Sequence, residues 1–411
     1  MSMQFVYGKS GTGKSEYIYN QIKEKIKTDS KIYVITPEQF SFTAEKKLMQ
    51  VTGGSSLSAE VLSFERMAYR IFNEVSGGVD LHLSPSAKAM IIQDLLTSKK
   101  DELKFLGNSK DNIDLVSRQI TELKKHNIMP KDLEEILDGL EENQYLKTKI
   151  EDILAIYNIY NQTIDEKYID TDDVLTLLSG KIQESESLKN SIIYIDEFVG
   201  FTTQEYKVVE ELLKTAKEVV VTVCTDDLDI EKSTAEADVF YPNKETVEKL
   251  VKCASRAKER IEKPIFLDKT YRFKTKELEY LENNLYNTKI EIYKDKPENI
   301  KLFLAANPYS EVENIAHSIL ELVRTEGYRY NDISIITKNI DTYSSNIKVI
   351  FDKYKIPVFI DEKKELSANI FIKYVTSLLD IFAKNWSYES MFNYINDNQI
   401  TFNSNMMALI G

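Results

Sequence analysis

A strand that runs straight into a glycine-rich turn and then a helix limits what this chain can fold into more than any other feature. Gln4 to Gly8 reads as a short strand, and Ser15 onward is helical, with Ile18 and Ile22 one turn apart. Between them Gly8-Lys9-Ser10-Gly11-Thr12-Gly13-Lys14-Ser15 fits G-x-x-x-x-G-K-[ST] at every fixed position. Glycines let main-chain N–H groups close around an anion, and the helix N-terminus behind them favours negative charge. Lys14 is placed for the β- and γ-phosphates of a nucleotide, and Ser15 offers a hydroxyl to Mg²⁺. The expected cofactor is ATP with magnesium, held by Gly8, Lys9, Ser10, Gly11, Thr12, Gly13, Lys14 and Ser15. A glycine-rich turn with a fortuitous Lys-Ser is the rival reading, and it leaves the flanking strand and helix unexplained.

Ile192-Ile193-Tyr194-Ile195-Asp196-Glu197 is an apolar run ending in two acids, which suits the second half of such a site. Asp196 is expected to hold Mg²⁺, often through water, and Glu197 to orient or deprotonate the attacking water. The expected catalytic residues are therefore Glu197 and Lys14, and the expected metal ligands Ser15 and Asp196. A strand ending in Asp-Glu is usually structural when it stands alone; here the phosphate loop precedes it. Thr225-Asp226-Asp227 follows the run Val219–Val223, where either a sensor motif or a plain turn fits. Arg272, next to Tyr271, either brings a guanidinium to the γ-phosphate or is a solvated surface arginine. His82, His126 and His317 share no ligand or triad spacing, and no chemistry is assigned to them.

The 411 residues allow two or three domains. Further strands are read at Lys31–Thr36 and Glu60–Phe64, and short apolar strands separated by helical stretches indicate a parallel sheet covered on both faces. The fold class is thus α/β, a P-loop NTPase with a RecA-like parallel sheet, assigned to residues 1–83 and 191–299. Residues 84–190 hold no convincing strand. Ser84-Pro85 opens a helix, with Ser as cap and Pro at the first helical position. This stretch of roughly 100 residues exceeds an ordinary crossover, and we read it as a helical insertion; several crossover helices of the core are the alternative. From Ile300 the pattern restarts. Strands are expected at Ile300–Leu304, Asp332–Thr337 and Ile356–Ile360, with helices at Glu311–Glu326 and Ile347–Tyr354. Residues 300–411 are the start of a second α/β domain, truncated at Leu409-Ile410-Gly411.

No apolar run approaches the roughly 20 residues of a membrane helix, and the start enters a strand without a signal peptide's regions. Two cysteines, Cys224 and Cys253, suit a reducing cytoplasm and form no metal-ligand cluster. The net charge of −13 argues against binding nucleic acid through the whole surface but leaves room for a local basic groove.

The order of these elements resembles the UvrD-like superfamily-one helicases: phosphate loop, Thr36-Pro37-Glu38-Gln39, Leu62-Ser63-Phe64, helical insertion, Asp196-Glu197, second motor-like domain. Within that group it is similar to the AddB family, the second subunits of bacterial AddAB helicase–nucleases. Val34–Phe42 with Val61–Ala68, Ile193–Phe198 with Phe201-Thr202-Thr203-Gln204-Glu205, and Gly327–Ile333 with Ile356–Asp361 carry the closer match. The resemblance implies an N-terminal, helicase-like part of an ATP-dependent helicase/exonuclease subunit that processes double-strand DNA ends, responds to Chi and serves recombinational repair in the cytoplasm. It implies an AddA-like partner in a heterodimer, single-stranded DNA as ligand, and no membrane. An iron–sulfur cluster and a nuclease domain are implied only for a full-length member; Cys224 and Cys253 do not match the cluster cysteines. The chain departs from active motors in lacking an adenine-reading Gln before the loop and a Gln in the sensor region, so nucleotide binding is better supported than turnover.

In such proteins aromatic side chains stack on bases, and Phe40, Phe42, Phe64 and Arg66 occupy the expected positions, with Lys46-Lys47 and Lys124-Lys125-His126 as phosphate contacts. Ordinary core, loop and solvated-lysine roles compete at each. Two other readings stand beside the motor-like subunit: a P-loop kinase, and a DNA-scanning scaffold that no longer needs nucleotide.

Overall fold

The computed structural model describes residues 2–397 apart from 28–29, 55–57, 76–81, 107–111, 141–142, 165–167, 233–236, 287–290, 363–365 and 367–368. The chain divides into two compact units, Met1–Ile300 and Lys301–Gly411. The last stretch assigned from sequence to the second unit, 398–411, lies outside the described residues.

The first unit is built on β1 (Ser2–Gly8), β2 (Ile32–Ile35), β3 (Ala59–Leu62), β6 (Ile192–Ile195) and β7 (Glu218–Cys224). With the short β8 (Arg260–Ile261) and β9 (Ile265–Phe266) they form a parallel sheet of order β3-β2-β6-β7-β1-β8, β9 also pairing with β1. Every residue of β2 and β6 is buried, as parallel strands covered on both faces require. Alternation then sorts side chains between the two layers. Val6, Val34, Tyr194 and Val220 face α1 (Lys14–Lys25) and α2 (Ser41–Thr52), through Ile18, Ile22, Ala44 and Leu48. Phe5, Ile35, Ile193, Ile195 and Val221 face the other way, against α3 (Phe64–Val75), α8 (Val174–Lys181), α9 (Thr203–Thr215) and α10 (Tyr241–Ala257). Thr202 and Glu205 cap α9 reciprocally: Glu205 N–H donates to Thr202 Oγ1 at 3.2 Å, and Thr202 N–H to Glu205 Oε2 at 2.6 Å.

Helices α4 (Pro85–Ser98), α5 (Asn112–Lys125), α6 (Pro130–Asp138) and α7 (Gln144–Ile164) enclose a core of their own around Ile92, Val116, Ile120, Ile156 and Tyr157. The Ser84 hydroxyl accepts from Ala87 N–H, so α4 starts where Ser-Pro places it. One strand pair does occur here: β4 (His82–Leu83) runs parallel with β5 (Ile169–Asp170), two residues each and too short to leave an alternating pattern. Beneath it lies a buried charge network. Lys124 Nζ sits 2.7 Å from Asp170 Oδ2 and also pairs with Asp173; Lys88 pairs with Asp172, and Tyr160 OH donates to Asp170 at 2.8 Å. Gln204 Nε2, at the start of α9, donates to Asp172 O at 2.8 Å and ties the network to the sheet's helices.

In the second unit α12 (Pro308–Thr325) and α13 (Ile340–Tyr354) pack through Val312, Ala316, Ile319, Ile347, Ile350 and Phe351. Helices α14 (Ile370–Ala383) and α15 (Tyr388–Asp397) follow. The strands expected at Ile300–Leu304, Asp332–Thr337 and Ile356–Ile360 are not formed; these segments lie outside any β-ladder. Ile356 is buried and Ile336 and Phe359 are exposed, while Leu302, Phe303 and Leu304 are exposed in succession. A strand exists only through a neighbouring strand that takes its N–H and C=O groups; among the described residues these segments pair with no strand, and the backbone bonds they do make are local turns such as Ile356 N–H to Phe351 O at 2.8 Å.

Removing one member of a buried charge pair leaves the other uncompensated, at about 3–5 kcal/mol. Lys124→Met is expected to lower unfolding free energy by about that amount, read from the urea midpoint, whereas truncating the exposed Lys125 changes it by less than about 0.5 kcal/mol.

Candidate functional site

The parallel order sets β7 between β1 and β6, so that all three strands point to the same edge of the sheet. Gly8 closes β1 opposite Cys224 of β7, and Asp196-Glu197 follow β6 directly. A Cβ on Gly8 would lie 2.3 Å from Leu267 O and 2.6 Å from Thr12 Oγ1, so only glycine fits. Gly11 and Gly13 have φ of 80° and 83°, the left-handed region that turns N–H groups inward ahead of α1. Lys14 Nζ donates to the carbonyls of Gly8 and Lys9, both at 2.8 Å, and Thr12 Oγ1 donates to Lys9 O at 2.9 Å.

Across the loop, Ser15 Oγ donates to Glu197 Oε1 at 3.1 Å, bringing together residues 182 positions apart. Asp196 is buried and accepts from Thr222 Oγ1 on β7. Burial pushes its carboxyl above the usual aspartate range and the neighbouring Glu197 charge adds to this, while the Thr222 hydrogen bond opposes both. Glu197 has φ of 68°, a strained backbone for a residue with a side chain, of the sort that collects at working sites.

A strap from Leu267 to Arg272 crosses the loop. Leu267 N–H donates to Tyr7 O at 2.8 Å, Tyr271 N–H to Gly11 O at 2.9 Å, and Arg272 Nη1 to Ser10 Oγ at 2.8 Å. The Tyr271 ring lies against Gly13 and is 64% exposed. Lys9 Nζ reaches Asn283 Oδ1 at 3.1 Å on α11 (Lys276–Asn284). The structure thus gathers Gly8 to Ser15, Asp196, Glu197 and Arg272 around one loop. Thr225 N–H also donates to Gly8 O, at 3.3 Å, but Asp226 and Asp227 face the buried Lys244, 3.0 and 3.3 Å from its Nζ.

Sequence reasoning missed Thr222, Tyr271 and Lys244. Thr222 was visible as the single polar residue in Val219-Val220-Val221-Thr222-Val223, and Tyr271 as an aromatic beside an assigned arginine; for Lys244 on α10 there was no local signal. Among the residues considered for DNA, Phe42 is 77% exposed and Phe40 partly so. Phe64 is 4% exposed and packs on Phe198 and Phe201, so its ring is not open to stacking. Lys124 is consumed by the buried network and is not a phosphate contact. Arg66 pairs with Glu45 at 2.8 Å. Lys47 lies over the Tyr19 ring, Lys125 pairs with Glu122, and Lys46 is exposed. His317 contacts Tyr354 in the second unit, and the His82 side chain lies outside the described residues.

A strand–loop–helix of this kind on a parallel sheet, with paired acids after the strand one place further along, β7 lying between, defines a P-loop α/β domain of the RecA-like class. Residues 5–282 match the family model described as ADDB, N-terminal, and the chain belongs to that family. The B subunit of the ATP-dependent helicase/deoxyribonuclease of Clostridium tetani is 42% identical over 406 residues, 96% of this chain and 35% of that protein. Proteins of the same description from Clostridium novyi and Ruminiclostridium cellulolyticum are each 40% identical over 404 residues, again 96% of this chain and 35% of theirs. The chain spans about a third of the length of these curated relatives.

Because the folded carboxyl of Asp196 titrates above its unfolded value of 3.8, the folded state holds a proton that the unfolded state has lost. Stability therefore falls as pH rises above 3.8 through the raised folded value, and stays lower beyond it. Asp196→Asn is expected to melt higher than the parent chain at neutral pH, with the gain shrinking towards zero as pH falls to about 4.

Proposed function

We propose that this chain is the nucleotide-binding, helicase-like N-terminal part of an AddB-type subunit that works with an AddA-like helicase–nuclease partner on double-strand DNA ends. In this reading it binds ATP with magnesium, contacts single-stranded DNA including Chi, and serves recombinational repair in the cytoplasm. The observation that carries the nucleotide part is the Ser15–Glu197 hydrogen bond, which joins the phosphate loop to the acid pair. The DNA part rests on family membership and on the helicase/deoxyribonuclease name of relatives that are about three times as long.

The residues fit a magnesium nucleotide on structural grounds. Gly8 leaves a cradle that a Cβ would fill, the loop ends at a helix N-terminus, and a buried carboxylate stands opposite. Lys14 exchanges its two loop carbonyls for phosphate oxygens. Ser15 and Asp196 would hold the magnesium ion, Ser15 giving up its hydrogen bond to Glu197. Bound magnesium neutralises phosphate charge and polarises the γ-phosphoryl group. Among the described residues no three His, Cys, Asp or Glu side chains are arranged to hold a metal by themselves, and magnesium would bind here together with the nucleotide. Glu197, released from Ser15, is the group that orients a water. Arg272 adds a second cation at the rim, and the Tyr271 ring offers a flat face to a base.

Binding and turnover separate here. Thr225-Asp226-Asp227 after β7 carries no Gln side chain to sense the γ-phosphate, and its two acids are held by Lys244. This favours a subunit whose nucleotide governs conformation over one that drives translocation. Among the described residues no helix is long and apolar enough to cross a membrane.

Calorimetric titration of the chain with ATP·Mg²⁺ is expected to show one site, and Lys14→Ala to abolish it. Single-stranded DNA retained without any ATP binding favours the scaffold reading, and phosphate transfer to a metabolite favours a kinase. Phe42→Ala is expected to weaken single-stranded DNA binding by about 1–3 kcal/mol for the lost stacking, measured by fluorescence anisotropy; unchanged affinity removes Phe42 from the interface.

A further inference from the structure

One hydroxyl beside the acid pair has no partner. Thr36, the residue after β2, is 1% exposed, and its Oγ1 makes no hydrogen bond among the described residues. Native structures seldom leave a buried hydroxyl unpaired, and a water is the usual remedy. Thr36 lines a cavity of about 20 Å³ that also touches Ser15, Tyr19, Asp196 and Glu197. That space fits one water, which needs two to four polar partners. Thr36 Oγ1 and the two carboxyl groups supply them, with Thr43 and Lys47 also on the wall, whereas Tyr19 OH is committed to Ala44 O at 3.3 Å.

We propose that this cavity holds one ordered water and that Thr36, acting through it, is a positioning residue for Asp196 and Glu197. The role in nucleotide binding rests on the function proposed above; the water site does not. Its logic follows from the fate of Ser15. In the free chain the Ser15 hydroxyl donates to Glu197 Oε1. Once Ser15 serves a metal ion, that donor is lost just when the strained Glu197 must keep its orientation. A water anchored on Thr36 is a donor that stays. The Thr36 side chain comes from the end of β2, which is bonded along its length to β6 in parallel register, so the anchor cannot shift relative to the acids.

The test has a structural and a binding arm. A high-resolution crystal structure of the nucleotide-free chain is expected to show a water within hydrogen-bonding distance of Thr36 Oγ1 and of an Asp196 or Glu197 carboxyl oxygen, absent in Thr36→Val. By titration, Thr36→Val is expected to bind ATP in EDTA as the parent does but to lose about 5-fold of the affinity that magnesium adds; Thr36→Ser restores it. A wild-type cavity without water overturns the proposal, and so does an unaltered magnesium dependence in Thr36→Val. If the parent chain itself binds no ATP·Mg²⁺, the proposed function fails and takes the positioning role with it, while the crystal structure still decides the water site.

Discussion

The register of β6, β7 and β1 is the constraint on which the rest of the site depends. Three parallel strands are held in fixed register, Ile195 level with Val221 and Val221 with Phe5, so the loop following β1 and the two acids following β6 are brought to the same edge. Had one strand slipped by a residue, its side chains would have exchanged faces, and Thr222 would no longer have met Asp196. Two apolar layers hold that register, one against α1 and α2 and one against α3, α8, α9 and α10. The site needs both, because a sheet clad on one side only would leave β2 and β6 half exposed.

Stability and chemistry pull in opposite directions at this edge. The chain buries an aspartate that burial drives toward the neutral form, and it holds the next residue in a left-handed backbone. Neither feature helps folding. Under the function proposed above, one carboxylate would face a cation and the second would be aimed away from the strand. The reference interactions of the free chain, Lys14 on its own loop carbonyls and Ser15 on Glu197, are ones a triphosphate and a metal can replace one for one.

Away from the loop, charge is used to fasten elements together. Lys88 and Lys124 with Asp170, Asp172 and Asp173 knit the helices α4 and α5 to the segment before α8, and Gln204 carries the connection to α9. Lys244 does the same for the loop after β7. Such networks hold geometry better than they add stability. They also explain why lysines and aspartates that look solvent-facing in the sequence turn out to be structural.

Sequence by itself determined the glycine-rich turn between β1 and α1, the two acids after β6, the parallel α/β class and the helix starting at Ser84-Pro85, because each rests on local rules: glycine conformations, uninterrupted apolar runs, capping residues. Phe64 and Lys124 depart from expectation because exposure is a property of what packs on a residue, here Phe198 and Phe201 in one case and Asp170 in the other. The strands expected in the second unit failed for the same reason in reverse, since an apolar run marks a segment able to pair and pairing needs a neighbour. Only the tertiary structure decided that Ser15 meets Glu197, that Thr222 holds Asp196 and that Tyr271 and Arg272 lie over the loop. Those contacts join residues far apart along the chain, and nothing short of the folded sheet brings them within hydrogen-bond range.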